Sequence, residues 1–494
     1  CRSIRIQSPP HTSAPAAGDR RRRRRRRHRH RRGVGRRGHQ PQPPSSSGSS
    51  PSRVAHSFLA PLCARLMSLA QCPTPGSSDA GHLLDGMPDS AAAGGEDRIG
   101  ALPDDILLLV PSFLPSRESV CTCVLARRWR NLWKSVPTVL VYEEEEASFV
   151  TSLLLLRDRV PLREFVCISS PDETPQDVEM WLRYAASCHV RVLQVEVRSY
   201  DTTERLRLPN MTLVCQQLTS LYISSLELKE RTLDLSSCPV LKKLEMTNCE
   251  IYAQKIVCQS LRHLVTYMCI FVSDVRTRIS CPSLAALELA ENVGLTPLLE
   301  SMPLLVTAFV EFDADWYERE YPYDHCLNSG YYGGCGDWDC LACCHINSEG
   351  DDCVLLDGLC GATSLTLIST PKMIICTRDF KWRRIFSNLK TLYLSEWCLA
   401  ADSGGLVYFL QHSPILEKLT VGLSFFKYGR QPIGGKDESY KPRKQFLISK
   451  NLKEVEIKHR RNDEKIHQIV MILVSLGVPP EHIKCSDCFS FERE

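Results

Sequence analysis

DRIGALPDDILLLVPSFLPSRESVCTCVLARRWRNLWKSVPTVLVY, residues 97–142, is the densest stretch of the chain, and the reading of the rest follows from it. Pro103 fits the first turn of a helix, where its missing N–H costs nothing. Asp104 and Asp105 then stand at the positive end of the helix dipole. Ile106, Leu107, Leu108, Leu109 and Val110 follow, and Phe113 and Leu114 complete an apolar surface before Pro115 ends the element. Ser116 can cap a second helix carrying Val120, Cys123, Val124 and Leu125. Arg127, Arg128, Trp129, Arg130, Leu132 and Trp133 then mix charge with two large aromatics. A unit of roughly 45 residues cannot bury this much apolar surface alone. It packs either on the rest of the chain or on a partner protein.

Pro111 stands out within the first helix. Inside a helix it would remove one backbone hydrogen bond at a cost of ~3 kcal/mol and push Val110 out of the α region.

Downstream, leucines recur as L-x-x-L-x-L with a small or polar residue three positions on. Leu218, Leu221 and Ile223 form one copy. Leu241, Leu244, Met246 and Cys249 form the next, then Leu261, Leu264, Thr266 and Cys269, then Leu284, Leu287, Leu289 and Asn292. The starts at 218, 241, 261 and 284 are 23, 20 and 23 residues apart. Val190, Leu193 and Val195 form a degenerate earlier copy. The pattern resumes at Leu389, Leu392 and Leu394, at Leu416, Leu419 and Val421, and at Leu452, Val455 and Ile457. Alternate residues point into one core. A single repeat cannot bury its apolar edge, so the units must stack into a curved solenoid with parallel strands on its concave side. Cys249 and Cys269 occupy the slot that takes a small residue under the turn. Tyr222, Lys243, Glu245, His263, Tyr267, Glu288 and Tyr393 face outward and are the candidate target-binding residues; Lys418, Glu454 and Glu456 face the same way. Glu143 to Glu146, between the opening stretch and the repeats, read as a solvated acidic linker.

Composition is that of a soluble globular chain, with 43% hydrophobic and 24% charged residues. No apolar run is long enough to span a bilayer, and no signal peptide is evident. Residues 1–95 read as a disordered tail rich in Ser, Pro, Gly and Ala. They hold 17 Arg, 13 of them within residues 20–37, and the remainder carries 44 basic and 53 acidic residues, a net of −9. Nucleic acid is therefore not the expected partner of the folded part. The Arg tract reads as a biased segment upstream of two candidate starts, Met67 and Met87, or else as a nuclear or phosphate-binding tail. Most of the 24 Cys read as reduced, buried hydrophobes. A Cys-rich insertion near 322–353 holds one C-x-x-C pair. The first reading is an acidic loop with no metal and no cofactor. Zinc on Cys335, Cys340, Cys343 and His345 or Cys353, or a redox dithiol, are the alternatives. No P-loop, nucleophile-elbow or zincin motif is present.

The run LPDD…SFLPSR…V…CVLARRWRNLW resembles an F-box, especially that of plant F-box proteins with leucine-rich repeats. Residues 451–485 resemble the FBD region that follows the repeats in that family, and residues 355–369 resemble the segment that re-enters them. The resemblance implies an α/β chain with an all-α F-box over 96–142, a leucine-rich solenoid over 143–450 and an FBD-like segment over 451–490. It implies a non-catalytic substrate-recognition subunit of a Skp–cullin–F-box ubiquitin ligase, with the ligase chemistry on other subunits. Leu102, Pro103, Ile106, Leu107, Val110, Phe113, Leu114, Val120, Val124, Leu125, Trp129 and Trp133 inherit roles either facing the Skp-type adaptor or in the F-box core. The adaptor, a cullin reached through it and an unknown substrate protein are the implied partners. Nucleus and/or cytoplasm is the expected location. The alternative is a leucine-rich binding protein outside a ligase, its F-box impaired by Pro111.

Overall fold

The short helices of the opening stretch lead directly into a sheet of thirteen parallel strands. The computed structural model describes residues 103–142, 145–169, 174–197, 206–207, 213–272, 276–294, 296–312, 353–369, 377–423, 451–459 and 465–487. The 1–95 tail, Leu102, and Cys335, Cys340, Cys343 and His345 lie outside the described residues.

The large sheet begins at Thr138–Val141, within the opening stretch itself, and pairs in parallel with Glu164–Ser169. It continues through Val192–Val197, Ser220–Ser224, Lys243–Thr247, His263–Tyr267 and Ala286–Ala290. Thr307–Phe312, Ser364–Ser369, Thr391–Ser395, Lys418–Gly422, Glu454–His459 and Ile483–Asp487 complete it. The register aligns the repeat leucines, with Leu221, Leu244, Leu264 and Leu287 forming one continuous row. That row is buried, and the residues between its members and the next row face out, as a period of two requires.

Two further sheets form the back of the central repeats. Leu206–Arg207, Leu226–Leu228, Glu250–Ile251, Ile270–Phe271 and Val293–Gly294 make one. Thr232–Asp234, Lys255–Val257, Arg278–Ser280 and Leu298–Leu299 make the other. Each central unit is thus a three-sided coil. Units this short return to the large sheet through two- and three-residue strands and have no room for a helix. Longer units at either end carry helices instead, at Ala147–Leu156, Pro175–Ser187 and Ala400–His412.

One turn recurs in every central unit. Ser225, Asn248, Met268 and Glu291 all adopt positive φ, between 51° and 58°. The residue after each is buried. The Cys249 thiol donates to the Thr247 carbonyl at 3.3 Å and the Cys269 thiol to that of Met246 at 3.3 Å. In the same slot Asn292 donates to the Thr266 carbonyl at 3.2 Å and accepts the Cys269 N–H at 3.0 Å. Two residues on, Gly294 lies at φ +93°, and a Cβ there would sit 2.1 Å from the Phe271 carbonyl oxygen.

One sequence expectation changes. Glu145 is not solvated: it is buried and paired with Arg117 at 2.8 Å, while that guanidinium lies 4.6 Å from the centre of the Phe149 ring. An acidic run predicts a solvated stretch only where no cation waits inside. The C-terminal strand, helix and strand appear at Glu454–His459, Lys465–Ser475 and Ile483–Asp487, with Gly477 at φ +94° just past the helix. Their strands extend the repeat sheet, so this segment adds the last units of the solenoid.

Candidate functional site

The opening stretch folds as a helix (Asp104–Leu109), a 3-10 turn (Pro111–Phe113), a second helix (Ser116–Cys121) and three further 3-10 turns as far as Ser135. Pro111 does not sit inside a helix. The first helix stops at Leu109, and Pro111 opens the 3-10 turn, a position that needs no N–H. Val110 keeps α geometry at φ −58° and ψ −59°. The Ser112 hydroxyl donates to the Leu109 carbonyl at 2.6 Å, satisfying one of the acceptors that the helix end leaves open. The ~3 kcal/mol expected of an interior proline is therefore not incurred.

The structure divides the implied F-box residues into two groups. Leu107, Val120, Trp129 and Trp133 are buried, and Leu114 is half-buried. Pro103, Ile106, Val110, Phe113, Val124 and Leu125 are exposed, Phe113 at 68% and Leu125 at 67%. Leu109 is exposed too, at 44%, and was not singled out from the sequence. The signal was present: Ile106, Leu109, Val110 and Phe113 follow the i, i+3, i+4, i+7 spacing of one helical face. Large apolar side chains do not cluster in water without a use, so this face is a candidate interaction surface. Arg128 and Asp104, paired at 2.8 Å, add a polar element.

The buried group joins this surface to the rest of the chain. Val120, Cys123, Trp133 and Val139 share one continuous core with Phe149, Phe165 and Trp181. Three polar ties reinforce it. Thr138 donates to the Ser112 carbonyl at 2.8 Å, the Leu140 N–H donates to the Ser116 hydroxyl at 3.0 Å, and Arg157 donates to the carbonyls of Trp133 and Val136. Burial pulls the Arg157 guanidinium below its usual pKa.

The thirteen-stranded sheet carries the other implied residues. Tyr222, Lys243, Glu245, Tyr267 and Tyr393 are half-buried and outward, and His263 and Glu288 are exposed. Lys243 pairs with Glu245 at 2.9 Å and lies 4.7 Å from the Tyr222 ring centre; the hydrogen bond to Glu245 raises its ammonium pKa. Towards the C-terminus, Lys418 and Lys484 pair with Glu454 at 3.3 and 3.1 Å, and their hydrogen bonds hold that carboxyl below its usual range.

At the back of the solenoid, a cleft of about 470 Å³ is lined by Arg278, Glu300, Cys353, Asp357, Cys360 and Arg384, among others. Arg384 is ion-paired with Asp357. Burial raises the pKa of both thiols, which disfavours a reactive thiolate. Cys353, the alternative fourth ligand in the zinc reading, is buried there. Among the described residues no group of three or more His, Cys, Asp or Glu is placed to share a metal ion.

Comparison with known proteins agrees with this architecture. The F-box domain family matches residues 99–139. An Arabidopsis thaliana FBD-associated F-box protein is 32% identical over 259 residues, 44% of this chain and 59% of the relative. An F-box/FBD/LRR-repeat protein of the same plant is 30% identical over 181 residues, 35% of this chain and 39% of the relative. An F-box/LRR-repeat protein, also from Arabidopsis thaliana, is 31% identical over 214 residues, 40% of this chain and 68% of the relative. The chain spans less than two thirds of the length of the first two. Short F-box helices, a parallel repeat solenoid and these likenesses together place the chain in the family of plant F-box proteins with leucine-rich repeats and an FBD-type region.

Proposed function

We propose that this chain is a substrate-recognition subunit of a Skp–cullin–F-box ubiquitin ligase. The exposed row Ile106, Leu109, Val110 and Phe113, with Val124 and Leu125, docks the Skp-type adaptor, and a cullin joins through that adaptor. The large sheet holds the target. The chain performs no chemistry. It supplies proximity, raising the effective concentration of the target near a charged ubiquitin carrier. Nucleus and/or cytoplasm is where such an assembly would work.

The observation that carries the reading is the exposure of Phe113 and Leu125, with Ile106, Leu109, Val110 and Val124, on a unit whose Leu107, Val120, Trp129 and Trp133 are buried. Co-purification with a plant Skp-type adaptor tests it. The natural chain should retain the adaptor, and Phe113→Glu with Leu125→Asp should not. An adaptor that binds the double variant as well as the natural chain rules this surface out. The position of Pro111 at the start of a 3-10 turn removes the helix-breaking argument for an impaired F-box.

A further inference from the structure

The large sheet shows one recognition motif already filled and a second one open. In the filled motif, Tyr222 and Glu245 are direct neighbours in register on adjacent strands. Lys243, two residues before Glu245, lies 4.7 Å from the ring centre and 2.9 Å from the carboxylate. A cation between a ring and a carboxylate gains from both.

A like pair recurs further along the sheet with the order of ring and carboxylate strands reversed. Glu288 and Phe309 are direct neighbours in register, with Val265 on the other side of Glu288. Glu288 is exposed, while Phe309 and Val265 are half-buried. The position equivalent to Lys243 is Ala286, as the register His263–Lys243 and His263–Ala286 shows. Among the described residues of the sheet, no Lys or Arg stands at that position. The strands His263–Tyr267, Ala286–Ala290, Thr307–Phe312, Ser364–Ser369 and Thr391–Ser395 contain no Lys or Arg at all. On either side of this span, lysines on the sheet already neutralise the carboxylates: Lys243 on Glu245, and Lys418 on Glu454. The centre of the large sheet's outward face therefore offers a carboxylate beside an aromatic ring, with no counter-ion on the described strands around it.

We infer that the target protein supplies it: the Glu288–Phe309 pair recognises a Lys or Arg side chain presented on an exposed segment of the partner. The carboxylate takes the charge and the ring takes the face of the cation, as Tyr222 and Glu245 do for Lys243. The inference rests on the reading of this face as the target-binding surface and narrows the target to one with an accessible basic residue.

The test uses the full-length chain and four immobilised pools of nonapeptides, random except for a central Lys, Arg, Gln or Glu. The Lys and Arg pools should retain roughly tenfold more protein than the Gln pool, the scale of one desolvated cation contact. Glu288→Gln should erase that preference and Phe309→Leu should reduce it. Ala286→Lys adds only a surface side chain and places a cation where Lys243 stands on its own strand. It should block the basic pools from within. Equal retention of the Lys and Gln pools, retention of none, or a preference unchanged in Glu288→Gln would overturn the inference. Adaptor co-purification is measured on the same samples. Its loss refutes the ligase reading and leaves basic selectivity standing, whereas uniform pools with adaptor bound refute only the present inference.

Discussion

Arg157, just past the first solenoid helix, donates to the backbone carbonyl of Trp133 at 2.8 Å. It donates also to that of Val136. A solenoid side chain thus holds the last turn of the F-box. Arg157→Ala leaves two buried acceptors without donors and should cost about 3 kcal/mol. Arg157→Lys should recover part of it. Urea midpoints of the three proteins decide the matter, and a loss below ~1 kcal/mol in the Ala variant would show that these bonds hold little.

The two faces of the F-box should separate cleanly under mutation. Phe113→Glu and Leu125→Asp change exposed side chains, so stability should move by no more than ~0.5 kcal/mol. Adaptor affinity should fall by at least roughly 30-fold, since an anchor residue is worth 2 kcal/mol or more. Trp133→Ala should do the reverse at first, costing ~3–5 kcal/mol of stability. Thermal denaturation and adaptor titration on the same preparations distinguish the two behaviours.

Asn292 is the best-connected of the buried turn residues. Its side chain accepts the Cys269 N–H and donates to both the carbonyl and the hydroxyl of Thr266, the latter at 2.8 Å. Asn292→Ala should destabilise the chain by ~1–3 kcal/mol. Asn292→Cys should cost less, because Cys249 and Cys269 fill the same slot in the preceding units. If the two variants unfold at the same urea concentration, the slot does not discriminate by hydrogen bonding.

The buried thiols set an alkaline limit on stability. Burial pushes Cys281 up to about 12 and Cys269 well above its ordinary value of 9.0. In the unfolded chain these thiols ionise near 9, while in the folded chain they stay protonated. The folded state therefore binds more protons above pH 9. Their contribution is complete below that pH and is lost as pH rises from about 9 towards 12. Unfolding free energy should be flat from pH 6.5 to 8 on account of these groups and fall by pH 10. Substituting Ala at 281 should flatten the alkaline limb in proportion.

The strand pattern was legible because a two-residue period survives wherever one face is buried. Leu221, Leu244, Leu264 and Leu287 could be aligned before any register was known. The back of the coil was not legible, since pairs such as Glu250–Ile251 and Val293–Gly294 are too short to show a period. The strand Thr307–Phe312 was missed as well: its partner Ser364–Ser369 follows only after a long insertion, which hides the repeat spacing. In the F-box, a run such as ILLLV gives apolar character without direction. Spacing groups Leu109 with Ile106, Val110 and Phe113 on one face, and the three-dimensional fold shows that face to be the exposed one and Leu107 to be core. Glu145 illustrates the remaining difficulty, because its burial depends on Arg117, 28 positions away.

Thr138–Val141 begins inside the F-box match, which runs to residue 139, yet it is the first strand of the repeat sheet. Parallel sheets end in rows of unpaired amides and carbonyls that invite another chain to add on. Here the strand covering that row on Glu164–Ser169 comes with the F-box itself. A chain that lost its F-box by truncation or exon loss would expose Glu164–Ser169 as a bare edge beside a half-open core. Such a product would aggregate or be degraded, so it could not persist as a free target-binding competitor. On the proposed function, the fold thereby ties the sheet that would hold a target to the F-box helices that precede it.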